Sequence, residues 1–274
     1  MSRLPTRRVG LPRAGRPIRR SSAGLSRTRA LASLVLVLAG LAIYGVGASP
    51  VFSFRSPVDL EGATWTSQAT VENLLAISDG TNLVTLRTDD LASRLESLPA
   101  VRSASVRVVL PNTVRVELVE RQPILVWQTS GGRFLVDATG VAFLELASGA
   151  AAPGGLPTIS DNRAGGAVSV GAAIDPVAFD AATRLGSLKP ADLGSAANGL
   201  IVSLADDQGF TLTAVPNLWT ATFGFYTTSL RPTTMIPGQV RVLRSLLAQV
   251  GETKVESVIV ADDQNGTWVP KAKP

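Results

Sequence analysis

Almost all residues in this chain that could do chemistry are carboxylates. The sequence has no cysteine and no histidine, which excludes thiolate and imidazole metal sites and the Cys-His and Ser-His-Asp catalytic arrangements. It also lacks a Ser-x-x-Lys pattern and a Gly-x-x-x-x-Gly-Lys phosphate loop, so we expect no cofactor. One catalytic possibility remains, a pair of acids about 5–10 Å apart across a cleft, as in glycoside hydrolysis. Its loose candidates are Asp137, Asp161 and Asp175.

A sharp boundary near the start predicts where the chain lies. Residues 1–29 carry nine arginines and no acid, and residues 30–49 follow without a single charge. Such an apolar run forms a helix about 30 Å long, enough to cross a bilayer, and the arginine excess keeps the N-terminus inside. We therefore expect a disordered basic cytoplasmic tail at 1–29 and a transmembrane helix at 30–49. A signal peptide cleaved after Val46-Gly47-Ala48 is the alternative, and it also exports the remainder.

The exported part is acidic, although the whole chain has a formal net charge of +5. Without the nine tail arginines, 17 basic residues stand against 21 acidic ones. Nucleic-acid binding needs a clustered basic face, so we expect no nucleic-acid partner for this part. Because it has no disulfides, it must be held together by its hydrophobic core.

Residues 50–120 carry the pattern of a small two-layer domain. A brief strand at 58–60 precedes two amphipathic helices, the first capped by Ser67. Two strands with alternating apolar residues then flank a turn at Pro111-Asn112. The order β-α-α-β-β places two helices on one face of a three-stranded sheet, which is a complete folding unit.

Residues 121–262 predict a second domain, a mixed β-sheet with flanking helices. Strand patterns recur from Ile124 onward, one helix is capped by Asp175, and another covers 238–250. The final predicted strand covers 254–260. The polar stretch 263–274 predicts a flexible C-terminal tail.

Several motifs stand in a fixed order along both regions. They are VDLEG at 58–62, LPAVRSA at 98–104, LPNTV at 110–114, VERQP at 119–123 and LVDATG at 135–140. On these motifs the chain resembles the FtsQ/DivIB family of bacterial cell-division proteins. The resemblance implies an α+β fold with an N-terminal transmembrane helix, a POTRA domain at 50–120 and an FtsQ-type β domain at 121–262.

The resemblance also implies a function and partners. The expected function is a non-catalytic divisome scaffold at the cell membrane and division septum, which links septal ring assembly to septal cell-wall synthesis. Its expected partners are coiled-coil proteins like FtsB and FtsL. In the family, these partners add an element to the edge of the β domain's sheet. Such an edge offers unpaired N–H and C=O groups. The candidate edge strand comprises Val255, Glu256, Ser257, Val258, Ile259 and Val260.

The segment between the two regions predicts a domain junction. Glu120 and Arg121 end the third strand, and Pro123 cannot continue a central hydrogen-bonded ladder. Direct contact of these residues with a partner is the alternative interpretation.

Two other functions remain open at the level of sequence. One is a membrane-tethered, carboxylate-dependent hydrolase of cell-wall polymers, which the acidic candidates above would serve. The other is a POTRA-type chaperone that binds exported polypeptides along its strand edges.

Overall fold

The computed structural model describes residues 27–47, 49–216 and 219–272. The chain divides into two compact units, Met1–Pro50 and Val51–Pro274. Nearly all of the predicted disordered tail lies outside the described residues.

Helix α1, Arg27–Gly47, is the described structure of the first unit. Its segment Arg27–Gly45 has a mean hydropathy of 1.7 and is long and apolar enough to cross a membrane. The helix begins three residues before the apolar run, because arginine is a good helix former and its long side chain reaches water from a helix end.

The second unit begins with a three-stranded sheet of order β1-β3-β2. Its elements are β1 Asp59–Glu61, α2 Gln68–Leu75, α3 Thr88–Glu96, β2 Val101–Val109 and β3 Thr113–Glu120. Strand β3 pairs parallel with β1 and antiparallel with β2. The Ser67 hydroxyl accepts the Thr70 N–H and caps α2, as its position in the sequence predicts. The predicted β-α-α-β-β order is therefore confirmed.

A nine-stranded mixed sheet follows, in the order β12-β11-β10-β9-β8-β7-β4-β5-β6. Its strands are β4 Pro123–Thr129, β5 Gly132–Asp137, β6 Ala142–Leu146, β7 Thr158–Asp161, β8 Gly199–Ala205, β9 Gly209–Val215, β10 Thr220–Gly224, β11 Val255–Val260 and β12 Gly266–Pro270. The helices are α4, Pro176–Gly186, and α5, Ile236–Val250. The pairs β4–β7, β7–β8 and β10–β11 are parallel, and the remaining neighbours are antiparallel.

One face of the large sheet packs against α4 and α5. Trp127, Trp219 and Phe223 are at most 1% exposed within this core, which Leu185 and Leu243 of the two helices complete. The Asp175 carboxylate accepts the Ala178 N–H and begins α4, as predicted. The sheet carries a large apolar core, and the chain has no cysteine to cross-link it; every strand from β4 to β11 contributes buried residues.

The end of the chain differs from the sequence prediction. Residues 266–270, which were expected in a flexible tail, form strand β12 and pair antiparallel with β11. The segment Gly-Thr-Trp-Val-Pro is short and contains both glycine and proline, which gives it a weak strand signal.

Candidate partner-binding edge

The predicted edge strand, Val255–Val260, is not at the edge of the sheet. It is β11, which lies between β10 and β12 with ladder partners on both sides. Strand β12 takes the outer position because the chain reverses directly after Val260 and folds back along β11. The edge predicted for residues 255–260 therefore belongs to Gly266–Pro270, one strand further out.

The reversal between β11 and β12 is fixed by one carboxylate. Oδ1 of Asp262 accepts the backbone N–H groups of Gln264 and Asn265, at 2.8 and 2.6 Å. The Asn265 side-chain amide donates to both Asp262 oxygens. The hydrogen bonds from Asn265, followed by that of the Gln264 N–H, lower the pKa of Asp262. A carboxylate that stays ionised in this way makes the turn, and with it the place where β12 begins, well defined.

The ladder shows which backbone groups of β12 face outward. The Ala261 N–H donates to the Asn265 oxygen at 3.0 Å, so this is a hydrogen-bonded pair. Bonded and non-bonded pairs alternate along an antiparallel ladder, so Thr267 and Val269 are bonded to β11. The N–H and C=O groups of Gly266 and Trp268 consequently point away from the sheet.

Strand β12 has only a short row of outward-facing backbone N–H groups. It contains the Gly266 and Trp268 N–H groups and ends at Pro270, which has no N–H. No strand pairs with the outer side of β12 within residues 27–47, 49–216 and 219–272. The edge can therefore take a short added strand, and proline limits how far unwanted pairing could extend.

The opposite edge of the large sheet is partly covered. The Ala142 N–H donates to the Ala172 oxygen at 2.9 Å, and the Gly171 N–H donates to the Ala142 oxygen at 2.7 Å. The loop at residues 171–172 therefore occupies the backbone N–H and C=O groups of Ala142, the first residue of β6. Of the two edges, β12 offers the better site for strand addition.

A groove of ≈ 490 Å³ lies beside this edge, between α5 and β12. Val242, Leu246 and Val250 supply apolar wall from the helix, and Trp268 supplies it from the strand. Trp268 is 40% exposed, which is unusual for the largest apolar side chain and typical of an anchor at a protein interface.

Charged residues of both signs lie in and around the groove. Arg241 lines it, Arg244 follows one turn along α5, and Lys254 and Lys271 lie at the other end of the β11–β12 pair. None of these four takes part in an ion pair among the described residues. Asp263 is the acidic residue of the lining. A cation in the wall of an apolar groove, here Arg241, favours a segment that carries an acidic residue next to apolar ones.

The structure places Glu120 and Arg121 between the two sheets. The Glu120 carboxylate is 6% exposed and accepts three successive backbone N–H groups, from Thr64 at 2.5 Å, Trp65 at 2.7 Å and Thr66 at 2.8 Å. The loop held in this way presents the Trp65 ring to Phe143 of β6, with ring centroids 6.3 Å apart.

Arg121 makes the second link. Its Nε donates to the Pro99 carbonyl, and its Nη1 donates to Asp137 at the end of β5. Burial raises the pKa of Asp137, but hydrogen bonds from Thr139 and Arg121 outweigh it and the net shift is downward. Pro123 is the first residue of β4, a position that needs no N–H in the ladder.

The three candidate catalytic acids are all engaged in structural bonds. Asp161 is 2% exposed and accepts Arg163 through both oxygens and the Trp127 Nε1–H. Asp137 is held by Arg121 and the turn that follows it, and Asp175 caps α4. No group of metal-binding residues is present in the described part of the chain. This arrangement offers no support for the hydrolase hypothesis.

Comparison with known proteins agrees with this architecture. Residues 56–121 match the family model described as "POTRA domain, FtsQ-type". The chain is similar to "Cell division protein FtsQ" of Mycobacteroides abscessus, 36% identical over 126 residues, which is 44% of this chain and 40% of the relative. The protein of the same name from Mycolicibacterium smegmatis is 33% identical over 114 residues, or 42% of this chain and 33% of the relative. That from Chloroflexus aggregans is 29% identical over 122 residues, 44% of each chain.

The matched stretches span less than half the length of these relatives. Within them, the matches confirm the resemblance that the sequence motifs indicated.

Proposed function

We propose that this chain, which resembles the FtsQ/DivIB family and carries an FtsQ-type POTRA domain, is a non-catalytic divisome scaffold that docks an FtsB- or FtsL-like protein on β12. The observation that carries the proposal is the free edge of β12, with the Gly266 and Trp268 backbone groups turned outward beside an apolar groove. A partner segment in extended form would add a tenth strand there.

The apolar wall of the groove and its one cation, Arg241, would select the segment. Alternate side chains of an added strand point to opposite faces of the sheet, so one set would enter the groove between α5 and β12. Trp268 would pack against an apolar member of that set, and Arg241 would attract an acidic one. Binding energy would then come from backbone hydrogen bonds together with one or two buried anchors.

Helix α1 would hold this binding body at the cytoplasmic membrane. Its apolar segment has the length of a span, and the arginines that precede it favour an inside N-terminus. The two sheets would then lie outside the membrane at the division septum, where the scaffold would couple ring assembly to septal wall synthesis. Neither a cofactor nor a nucleic acid enters this scheme.

The test compares two substitutions of one residue, Trp268→Ala and Trp268→Pro, in the full chain. Both remove the indole, but only proline removes the outward N–H, and an edge strand tolerates proline. The alanine variant should bind the FtsB-like protein of the same cell about tenfold more weakly, and proline should cost roughly a further three- to tenfold for one hydrogen bond. Circular dichroism and thermal melting would verify that both variants fold.

Equal affinity of the two variants would refute strand addition, and wild-type affinity in both would refute docking at this edge. A pull-down distinguishes the remaining alternatives. Many unrelated exported clients, in place of one coiled-coil partner, would support a chaperone. Release of fragments from purified cell-wall polymer would support a hydrolase. A fluorescent fusion spread evenly around the membrane would count against a septal role.

A further inference from the structure

Gln239 is a fully buried polar residue on α5, with 0% exposure. Its Nε2 donates to the carbonyl oxygens of Phe223 and Val260, at 3.5 and 3.1 Å. Its Oε1 accepts the Tyr226 hydroxyl at 2.7 Å. A buried amide is stable only when its donors and acceptor are satisfied, and here the partners come from two segments, residues 223–226 and the end of β11.

Arg231 donates to the same two carbonyls from another direction. Its Nη2 lies 2.6 Å from the Phe223 oxygen and 3.0 Å from the Val260 oxygen. Its guanidinium also lies over the Tyr226 ring, 6.0 Å from the centroid. These charge-assisted bonds are stronger than bonds between neutral groups. Gln239 and Arg231 thus form a polar clamp on two backbone oxygens, and Tyr226 contacts both of them.

The clamp joins the carboxyl ends of two parallel strands. Phe223 lies near the end of β10 and Val260 is the last residue of β11, so their carbonyls emerge at the same end of the sheet. The reversal to β12 begins one residue after Val260. Any shift of that carbonyl would move the turn and the strand that follows it.

The same turn of α5 touches both ends of that reversal. An ideal Cβ at Gly238 would overlap the Asp263 side chain, so the helix lies directly against the turn. One at Gly266, the first residue of β12, would lie 3.1 Å from Val242 Cγ1. The helix turn that carries Gln239 therefore meets the end of β11 and the start of β12.

We infer that Gln239 and Arg231 are positioning residues for β12: by holding the Val260 carbonyl against α5, they set where the outward N–H groups of the docking edge lie. The inference rests on the proposed function for its consequence, because weaker positioning would weaken docking. Neither residue belongs to β12 or lines the α5–β12 groove.

The test measures backbone amide hydrogen exchange in the full chain, separately for β12 and for the β2–β3 pair. Gln239→Met, which keeps the shape of the side chain but removes its hydrogen bonds, should lower the exchange protection of the Thr267 and Val269 amides at least tenfold. Arg231→Met should do the same, and Arg231→Lys, which keeps a cation able to reach one carbonyl, should retain more protection. The control is Leu185→Ala, which opens the same core under α4. It should lower protection across the sheet without singling out β12.

Affinity for the FtsB-like protein is the second measurement. Gln239→Met should reduce it at least fivefold, and the double variant with Arg231→Met should lose less than the product of the single losses, because the two residues share their acceptors. Wild-type protection of β12, or a loss no larger than that of Leu185→Ala, would overturn the inference. Lost protection with unchanged affinity would instead leave the positioning intact and count against docking on β12.

Discussion

Removal of the buried Glu120 carboxylate should destabilise the unit formed by residues 51–274. Glu120→Ala leaves the N–H groups of Thr64, Trp65 and Thr66 without their acceptor. It also frees the loop that orients Trp65 against Phe143. The substitution therefore acts on the three-stranded sheet and on its contact with the large sheet together.

The size of the effect follows from the three bonds. Each hydrogen bond to a charged acceptor contributes about 1.5–3 kcal/mol, and donors that regain water recover part of this. Thr64 is exposed and can be rehydrated, whereas Trp65 and Thr66 are half-buried. We therefore expect a loss of about 3 kcal/mol in the free energy of unfolding, or a Tm lower by about 6–12 °C for a unit of this size.

The assay is guanidinium unfolding followed by circular dichroism, with tryptophan emission as a second signal. Glu117→Ala is the matched control, because it removes the same residue type from the same strand. The side chain of Glu117 is 41% exposed, and its one ion pair among the described residues, with Arg107, spans 3.9 Å. This control should change stability by no more than about 0.5 kcal/mol, and Glu120→Gln, which keeps one acceptor oxygen, should fall between the two.

A loss for Glu120→Ala that stays within about 0.5 kcal/mol of the Glu117→Ala value would refute the reasoning. It would mean that the Thr64–Thr66 loop satisfies its N–H groups with water at no cost. A large loss with unchanged tryptophan emission would show that Trp65 keeps its place without the carboxylate.

Three further substitutions test other parts of the structure. Val106→Asp places an unpaired charge at a buried position of β2 and should cost several kcal/mol; protease resistance equal to that of the exposed control Ser103→Asp would contradict it. Gly209→Ala should cost about 2–4 kcal/mol by thermal melting, because φ is +67° and a Cβ would overlap the Gly224 backbone, whereas Gly199→Ala, with open space, should be tolerated. The pKa of Asp137 is lowered in the folded state, so its contribution to stability is present above the unfolded pKa and is lost as the pH falls through the folded value. In the Asp137→Asn variant, the free energy of unfolding should therefore fall less steeply as the pH is lowered. An unchanged fall would show that the Asp137 carboxylate does not cause it.

The sequence was sufficient for the elements whose signals are local. Alternating residues predicted β2 and β3, caps predicted α2 and α4, and the uncharged run predicted α1. The signals of the strands and of α2 and α4 are strong because one face of each is buried at a fixed period, whereas α1 is recognised by its length and lack of charge. Motifs in a fixed order predicted a resemblance to the FtsQ/DivIB family, and the comparisons agree with that resemblance.

The identity of the outermost strand, β12, could not be predicted in the same way. Which strand is outermost depends on pairing between β10 and β11, which are separated by α5, and on a five-residue strand with glycine and proline. Strand β7 was missed for a similar reason, since Thr158–Asp161 is too short to show a period. Gln239 did leave a signal: it stands four residues before Leu243 and eight before Leu247, on the buried stripe of α5. A polar residue within such a stripe indicates a buried hydrogen-bond network.

The parallel pairing of β10 with β11 has a consequence for the order in which the chain folds. Parallel neighbours require a crossover, here through α5, and such long-range pairing forms slowly. Strand β12 follows all other strands in chain order, so it can settle only on a sheet that is already assembled. Under the proposed function, a chain that has not yet formed β12 would lack the edge on which the partner docks, so docking would report that folding is finished.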